Sequence, residues 1–136
     1  MKVKLDSGAI TPTRAHDTDA GLDLYSMDEA YIPSHSMRVF HTGVHVELRP
    51  NTCGVIMSKS GLNTKHSLTT TGLVDEGYCG EIMVALHNNS YIEYKVHKGD
   101  KIAQLVIQPV IYEIVEIVDE INSGERGNNG FGSTGK

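Results

Sequence analysis

Residues 81–110 read EIMVALHNNSYIEYKVHKGDKIAQLVIQPV. The stretch holds three runs rich in β-branched and aromatic residues, separated by the turn signals Asn88-Asn89 and Lys98-Gly99-Asp100. Apolar and polar residues tend to alternate inside the runs, which is the pattern of a half-buried β-strand. No window of the chain sustains an apolar repeat at helical spacing. The sequence therefore predicts an all-β domain with at most a short helix.

The same pattern continues on both sides of this stretch. Strands are predicted over residues 44–48, 54–57, 81–86, 91–96, 102–110 and 114–118. Further turn signals occur at Ser7-Gly8 and at Arg49-Pro50-Asn51. Short strands divided by such turns are typical of a sandwich or a barrel with Greek-key connections.

Length and composition narrow the class of protein. A chain of 136 residues is expected to form one domain, and its net charge of -5 argues against binding a polynucleotide. No segment has the apolar length of a signal peptide or a membrane span, so we expect a soluble, cytoplasmic protein. Cys53 and Cys79 are interpreted as free thiols of a reducing compartment, with a disulfide as the alternative.

The last fifteen residues differ from the rest in composition. They read NSGERGNNGFGSTGK, rich in Gly and Asn, so we predict a domain over residues 1–121 and a mobile arm over residues 122–136. The spacing of Gly and Lys in the arm resembles that of a P-loop. A P-loop, however, needs a Ser or Thr after the Lys and then a helix, and the sequence ends at Lys136. An ordinary disordered terminus is the alternative to a functional arm.

The arm carries groups that bind anions. Its glycines allow several backbone N–H groups to converge on a phosphate, Ser133 and Thr134 add hydroxyl donors, and Arg126 adds a charged fork. A second loop of this kind, Lys59-Ser60-Gly61, follows the apolar run GVIM. It offers a cation, a hydroxyl and a glycine in succession, although an ordinary polar turn has the same composition.

Two aspartates are candidates for chemistry. Asp23 lies between Leu22 and Leu24, so strand alternation orients it away from both leucines, either toward a site or simply toward solvent. Asp75 lies where an apolar strand enters a tight turn; it is either a catalytic carboxylate or an ordinary turn aspartate.

The metal-ligating residues favour magnesium over zinc. The histidines are scattered, and His41 and His45 lack the intervening Glu of a zinc-hydrolase helix. Mg²⁺ keeps several waters and binds through substrate phosphates plus one or two carboxylates, so Asp23 alone is a sufficient protein contact.

Five segments, in order, resemble the five motifs of the trimeric dUTPase family. They are AGLDLYS (20–26), MSKSGL (57–62), TTGLVDEGYCGEI (70–82), KGDKIAQLVIQP (98–109) and RGNNGFGSTG (126–135). The resemblance spans almost the whole chain. It implies a distorted β-barrel or jelly-roll-like β-clip fold, assembled as a homotrimer whose arm closes over the active site of a neighbouring subunit.

The resemblance also implies an activity. The enzyme would hydrolyse dUTP to dUMP and pyrophosphate with Mg²⁺ as cofactor, keeping dUTP low and supplying dUMP for dTTP synthesis. Asp75 would orient and deprotonate the water that attacks the α-phosphorus, and Asp23 would hold the water shell of the metal ion.

The remaining positions of these motifs are implied to bind substrate. Lys59, Ser60, Gly61 and Gln104 would contact phosphates, and Arg126, Gly132, Ser133 and Thr134 of the arm would enclose the terminal phosphate. Leu73, Val74 and Met83 would read uracil through main-chain groups, Tyr78 would pack on the deoxyribose, and Phe131 would stack over the base.

The sequence departs from the family pattern at three positions. Lys59 stands where the second motif usually has Arg, so a point charge replaces a bidentate fork. Thr69 stands where many bacterial members carry an Asn that binds uracil. Asn129 replaces a glycine before Phe131, and Asn tolerates positive φ better than most residues.

Two alternatives share the fold. One is a dCTP deaminase of the same superfamily; the short chain and the GLVDEGY hairpin argue against it. The other is a regulatory binding protein that grips a protein partner in its nucleotide-bound state, although the chain has no obvious inserted segment to carry such an interaction.

Overall fold

β-Strands dominate the computed structural model, which describes residues 1–122 together with Gly124 and Gly127. The strands are β1 (Lys2–Leu5), β2 (Gly21–Tyr25), β3 (Ala30–Ile32), β4 (Ser36–His41), β5 (Val44–Glu47), β6 (Thr52–Met57), β7 (Leu68–Thr69), β8 (Thr71–Val74), β9 (Met83–Asn88), β10 (Tyr94–Val96) and β11 (Lys101–Pro109). One short helix, α1 (Ser60–His66), follows β6. The expectation of an all-β fold is confirmed.

The strands form four antiparallel sheets. The largest has the order β2-β11-β6-β8, and a second has the order β4-β9-β7. Strands β1 and β5 form a two-stranded sheet, as do β10 and β3. Within the described residues no sheet closes on itself, so the fold is an assembly of short sheets around one core rather than a continuous barrel.

Strand β11 organises the largest sheet. It is nine residues long and pairs with β2 on one edge and with β6 on the other. Its register with β2 shifts between Lys101 and Ala103, where two steps along β11 oppose one step along β2. Such a bulge turns the preceding side chain to the other face of the strand. Ile102 and Ala103 are consequently both buried.

Apolar side chains from all four sheets meet in one core. Its fully buried members include Phe40 from β4, Leu86 from β9, Ile32 from β3 and Leu105 from β11. Strands β3 and β9 alternate buried positions with more exposed ones, because one face packs inward and the other faces outward.

The predicted strands agree with the structure in most places but not in all. Residues 114–118, predicted as a strand, form none, because the segment after Val110 pairs with no strand of the described residues. Its apolar side chains are exposed, with Ile114 at 93% and Ile117 at 95%. The strand predicted over residues 91–96 is reduced to β10, since Ser90 is held in a turn by the side chain of Asn88.

The short helix allowed by the sequence is α1. Lys59 precedes it in an extended conformation, and Ser67 ends it with φ of 54° in the left-handed region. No residue of α1 is buried. No helix within the described residues is long and apolar enough to cross a membrane.

A partly buried carboxylate ties the segment before β9 to the end of β4. Glu81 accepts hydrogen bonds from the backbone N–H groups of Thr42 (3.1 Å) and Gly43 (2.8 Å). Its other oxygen lies 2.8 Å from Nδ1 of His41. The hydrogen bond and charge of Glu81, with the charge of Asp28, raise the pKa of His41 above its ordinary value. This cluster closes the turn that precedes β5.

We expect Phe40→Ala to lower the free energy of unfolding by about 3–5 kcal/mol, because a fully buried aromatic side chain leaves a cavity. Val39→Ala on the same strand, where the side chain is 45% exposed, should cost less than about 1 kcal/mol. Urea denaturation at one protein concentration measures both. Equal costs would contradict the assigned core.

The His41–Glu81 pair should make stability depend on pH. Because the folded state raises the pKa of His41, the pair's contribution is fully present below about pH 6.5 and is lost as pH rises through the folded-state pKa. His41→Gln should therefore lower the denaturation midpoint more at about pH 6 than at about pH 8. His87→Gln, at an exposed histidine of β9, is the control; a pH-independent effect of His41→Gln would refute the assignment.

Candidate active site

A cleft lies beside β2 and β11, at the loop that joins β6 to α1. Its volume is about 270 Å³. Three residues that the sequence predicts for phosphate or metal binding, Asp23, Lys59 and Gln104, line this cleft together. The other lining residues are Ala15, Asp19, Ala20 and Gly21. Strand pairing accounts for the convergence, since Asp23 of β2 lies opposite Gln104 of β11.

Asp23 is buried, with its side chain only 9% exposed. The alternative that it faces solvent is wrong, because both of its oxygens bind ammonium groups. Oδ1 pairs with Nζ of Lys59, and Oδ2 lies 2.7 Å from Nζ of Lys101. Burial raises the pKa of Asp23, but the contacts with Lys101 and Lys59 outweigh it, and the pKa lies below its ordinary value. Asp23 is therefore an ionised carboxylate paired with two lysines.

Gln104 is held in place from two sides. Its Nε2 donates a hydrogen bond of 3.1 Å to the backbone oxygen of Ser58. Gly21 lies against its side chain, and a Cβ atom at Gly21 would come within 2.5 Å of Oε1 of Gln104. Gly21, in the first motif, is thus needed for close packing against Gln104, in the fourth motif.

The predicted loop Lys59-Ser60-Gly61 is the start of α1: Lys59 precedes the helix and lines the cleft, and Ser60 and Gly61 begin its first turn. Lys59 is partly buried through its contact with Asp23, whereas Ser60 and Gly61 are exposed. A side chain at position 61 would meet no atom of the described residues within 4 Å. Hydrogen bonds between the Ser58 hydroxyl and the backbone of Thr70, both 2.9 Å, anchor the loop.

The hairpin predicted to bind the nucleoside lies at the edge of the same sheet. Strand β8 ends at Val74, and the turn that follows is closed by a hydrogen bond of 3.1 Å from the N–H of Tyr78 to the oxygen of Asp75. Gly77 has φ of 89°, which only glycine adopts readily. Asp75 is exposed at the start of the turn.

The side chains of the hairpin differ in exposure. Leu73 is 63% exposed, Met83 is 47% exposed and Tyr78 is 45% exposed, whereas Val74 is 4% exposed and packs in the core. The hydroxyl of Tyr78 donates a hydrogen bond of 2.9 Å to the backbone oxygen of Glu81. Because β8 is an edge strand, one side of its backbone is not paired within the sheet.

The hairpin and the cleft are far apart within one chain. Asp23 is paired with Gln104, and Gln104 with Met57. Met57 is paired in turn with Thr71, four residues before Asp75. Three strand spacings and four residues amount to about 14 Å across the sheet and about 13 Å along it. The predicted catalytic aspartate therefore does not reach the cleft of its own chain.

One residue of the cleft region was missed by the sequence analysis. Lys101 contacts Asp23, but in a regular strand it would face the opposite side from Gln104, three residues away. The bulge after Lys101 turns its side chain to the face that carries Gln104, and no local sequence signal indicates the bulge.

Thr69 lies on β7, where its hydroxyl accepts a hydrogen bond of 2.9 Å from the amide of Asn89.

The arm residues predicted to bind substrate lie outside the described part of the chain. The predictions for Arg126, Phe131, Gly132, Ser133 and Thr134 therefore remain predictions. The described residues contain no group of three His, Cys, Asp or Glu side chains that could hold a metal ion without substrate.

Comparison with protein-family models matches residues 7–135 to the dUTPase family. The deoxyuridine 5'-triphosphate nucleotidohydrolase of Clostridium acetobutylicum is 46% identical over 135 residues, covering 97% of this chain and 93% of that protein. The enzyme of the same name from Clostridioides difficile is 46% identical over 140 residues, covering 99% of this chain and 97% of that protein.

Solved structures agree with the family match. The dUTPase of Staphylococcus bacteriophage 80alpha with dUpNHpp superposes with a TM-score of 0.93 at 30% identity, covering 99% of this chain and 98% of the phage chain. A variant dUTPase from phage phi11 of S. aureus, described with a structural Mg(II) ion, has a TM-score of 0.82 at 29% identity, covering 88% and 96% of the two chains. The resemblance found in the five motifs is thereby confirmed, and the chain belongs to the dUTPase family.

Proposed function

We propose that the protein hydrolyses dUTP to dUMP and pyrophosphate by attack of water on the α-phosphorus. The observation that carries this proposal is the near full-length match to deoxyuridine 5'-triphosphate nucleotidohydrolases at 46% identity. In the cell the reaction keeps dUTP low and supplies dUMP for dTTP synthesis. The expected cytoplasmic location stays a prediction.

The cleft binds the triphosphate. Lys59 and Gln104 line it, and Ser60 and Gly61 stand exposed at its rim, where hydroxyl and backbone donors meet phosphate oxygens. Space for a side chain at Gly61 supports this role, since nothing in the chain itself demands a glycine there. From the arm, Arg126, Gly132, Ser133 and Thr134 enclose the terminal phosphate.

The donor set of the cleft fits magnesium rather than a metal held by protein ligands alone. A single buried carboxylate, Asp23, faces the cleft, and Mg²⁺ commonly binds one or two carboxylates, several waters and substrate phosphates. Bound in this way, the ion neutralises charge that accumulates on the leaving pyrophosphate. The role of Asp23 is to accept hydrogen bonds from the ion's water shell.

The hairpin binds the nucleoside and supplies the base. The unpaired backbone edge of β8, beside Leu73 and Val74, reads uracil together with Met83. Tyr78 packs on the deoxyribose, and its hydrogen bond to Glu81 fixes the ring. Asp75 orients the water and accepts its proton, since an exposed turn carboxylate can come within hydrogen-bond reach of it.

The site is assembled from three chains. The separation of Asp75 from the cleft supports this, since one chain does not bring base and phosphates together. Residues 1–121 form the domain of each subunit, which contributes its cleft to one site and its hairpin to another. Residues 122–136 form an arm that closes over a neighbour's site and places Phe131 over the uracil.

The test of function is pyrophosphate release from dUTP, dCTP, dTTP and UTP with Mg²⁺. We expect turnover of dUTP alone. Asp75→Asn should lower kcat by about 10²–10⁴-fold, the usual contribution of a general base, while still binding the nucleotide. Asp119→Asn, at an exposed aspartate outside the hairpin and the cleft, is the control.

The other outcomes identify the other members of the superfamily. Ammonia release from dCTP would assign a deaminase, and tight dUTP binding without turnover would assign a regulatory binding protein. Full activity of Asp75→Asn would remove this residue from the mechanism.

Mixing two inactive variants tests whether the site is shared. One variant carries Asp75→Asn, and the other carries Lys59→Met with Gln104→Ala. In randomly mixed trimers about a quarter of the sites receive an intact cleft and an intact hairpin, so activity should return. If each chain holds its whole site, the mixture stays inactive; a single-chain mass by light scattering would also refute the trimer.

A further inference from the structure

Lys101 contacts the site but takes part in none of the roles assigned above. It begins β11, and its Nζ lies 2.7 Å from Oδ2 of Asp23. The same Nζ lies 5.8 Å from the ring centre of Tyr25, the residue paired with it on β2. The side chain is 43% exposed. Lys101 is thus held between a carboxylate and an aromatic ring.

The two lysines that bind Asp23 face different spaces. Lys59 lines the cleft, where it is accessible to a phosphate. Lys101 borders a separate cavity of about 170 Å³, between α1 and β10, with Leu62 and Tyr94. A ligand in the cleft therefore competes for Lys59 before it competes for Lys101.

The charges of Asp23 and its two lysines indicate how a ligand that binds Lys59 would affect Asp23. Asp23 carries one negative charge and pairs with two ammonium groups, so these three groups sum to about +1 when ionised; Asp19, a second carboxylate, also lines the cleft. A triphosphate in the cleft would compete with Asp23 for Lys59. A carboxylate that is only 9% exposed would then lack a counter-charge, which is strongly unfavourable unless the second cation stays.

The fold keeps the second cation in place. Because of the bulge in β11, Lys101 and Gln104 lie on the face that carries Asp23 and Tyr25. Lys101 belongs to a strand paired with β2, whereas Lys59 immediately precedes α1 and lies outside every strand.

We propose that Lys101 is a positioning residue that holds the Asp23 carboxylate in place while Lys59 moves from Asp23 to a substrate phosphate. The exchange frees Oδ1 of Asp23 to accept a hydrogen bond from the water shell of a magnesium ion. This inference rests on the proposed function, and it assigns Lys101 no contact with substrate.

The experiment measures the affinity for dUpNHpp in the presence of Mg²⁺ by calorimetry, together with kcat and KM for dUTP. Lys101→Met should weaken dUpNHpp binding by about tenfold or more, because it removes the remaining counter-charge of Asp23. Lys101→Arg should restore affinity to within about threefold, since it keeps the charge. A loss in both variants would overturn a role based on charge.

Lys95→Met is the matched control. Lys95 also lies on a strand, contacts a carboxylate (Glu29, 2.7 Å) and lies over a tyrosine ring (Tyr31, 5.5 Å), but outside the cleft. The Lys95→Met variant should bind dUpNHpp with the same affinity as the wild type. An equal loss at Lys95 would show a general effect of removing a lysine and would overturn the inference.

Action through Asp23 is tested by combining substitutions. In an Asp23→Asn background there is no buried charge to balance, so adding Lys101→Met should change dUpNHpp affinity by less than about twofold. A loss of the same size in both backgrounds would overturn the proposal. If thermal denaturation shows that Lys101→Met is unfolded, Lys101→Gln, which keeps a donor but no charge, is measured with the same expectations.

The same measurements separate the two proposals. A wild type that neither binds dUpNHpp nor hydrolyses dUTP contradicts the proposed function and this inference together. A wild type that hydrolyses dUTP while Lys101→Met matches it in affinity contradicts the inference alone.

Discussion

The pairing of β11 with β2 on one edge and β6 on the other is the constraint on which the rest of the structure depends. It buries Leu105 in the core and places Gln104 opposite Asp23. Pairing with β6 brings the loop that begins at Lys59 to the same end of the sheet. A single strand thus joins three distant segments of sequence into one cleft, because antiparallel register fixes which residues face each other.

The second constraint is electrostatic. A buried carboxylate is unfavourable unless cations or donors compensate it, and Asp23 has two ammonium partners within hydrogen-bond distance. The compensation places the ammonium group of Lys59 in the cleft. The contact that makes a buried Asp23 tolerable in the fold thus involves the same lysine that is proposed to bind phosphate.

The chain carries its predicted base and its cleft at separate places in the fold. Its exposed hairpin carries Asp75 and Tyr78 at the sheet edge, away from the cleft, and the segment after Val110 carries exposed apolar side chains such as Ile114 and Ile117. Surfaces of this kind are costly in water unless other groups cover them. Family membership and this geometry together favour a site built between subunits.

The sequence by itself determined the all-β class and most strand positions, because alternation and turn residues are local signals, and its short motifs singled out Asp23, Lys59 and Gln104, which line one cleft. Only the tertiary structure decided that Asp23 is buried rather than exposed, that Lys101 turns toward it, and that residues 114–118 have no strand partner among the described residues. These outcomes depend on a bulge and on pairing between segments far apart in sequence. The free energy of such pairing depends on side chains of both strands, so the sequence of one strand alone does not specify its partner.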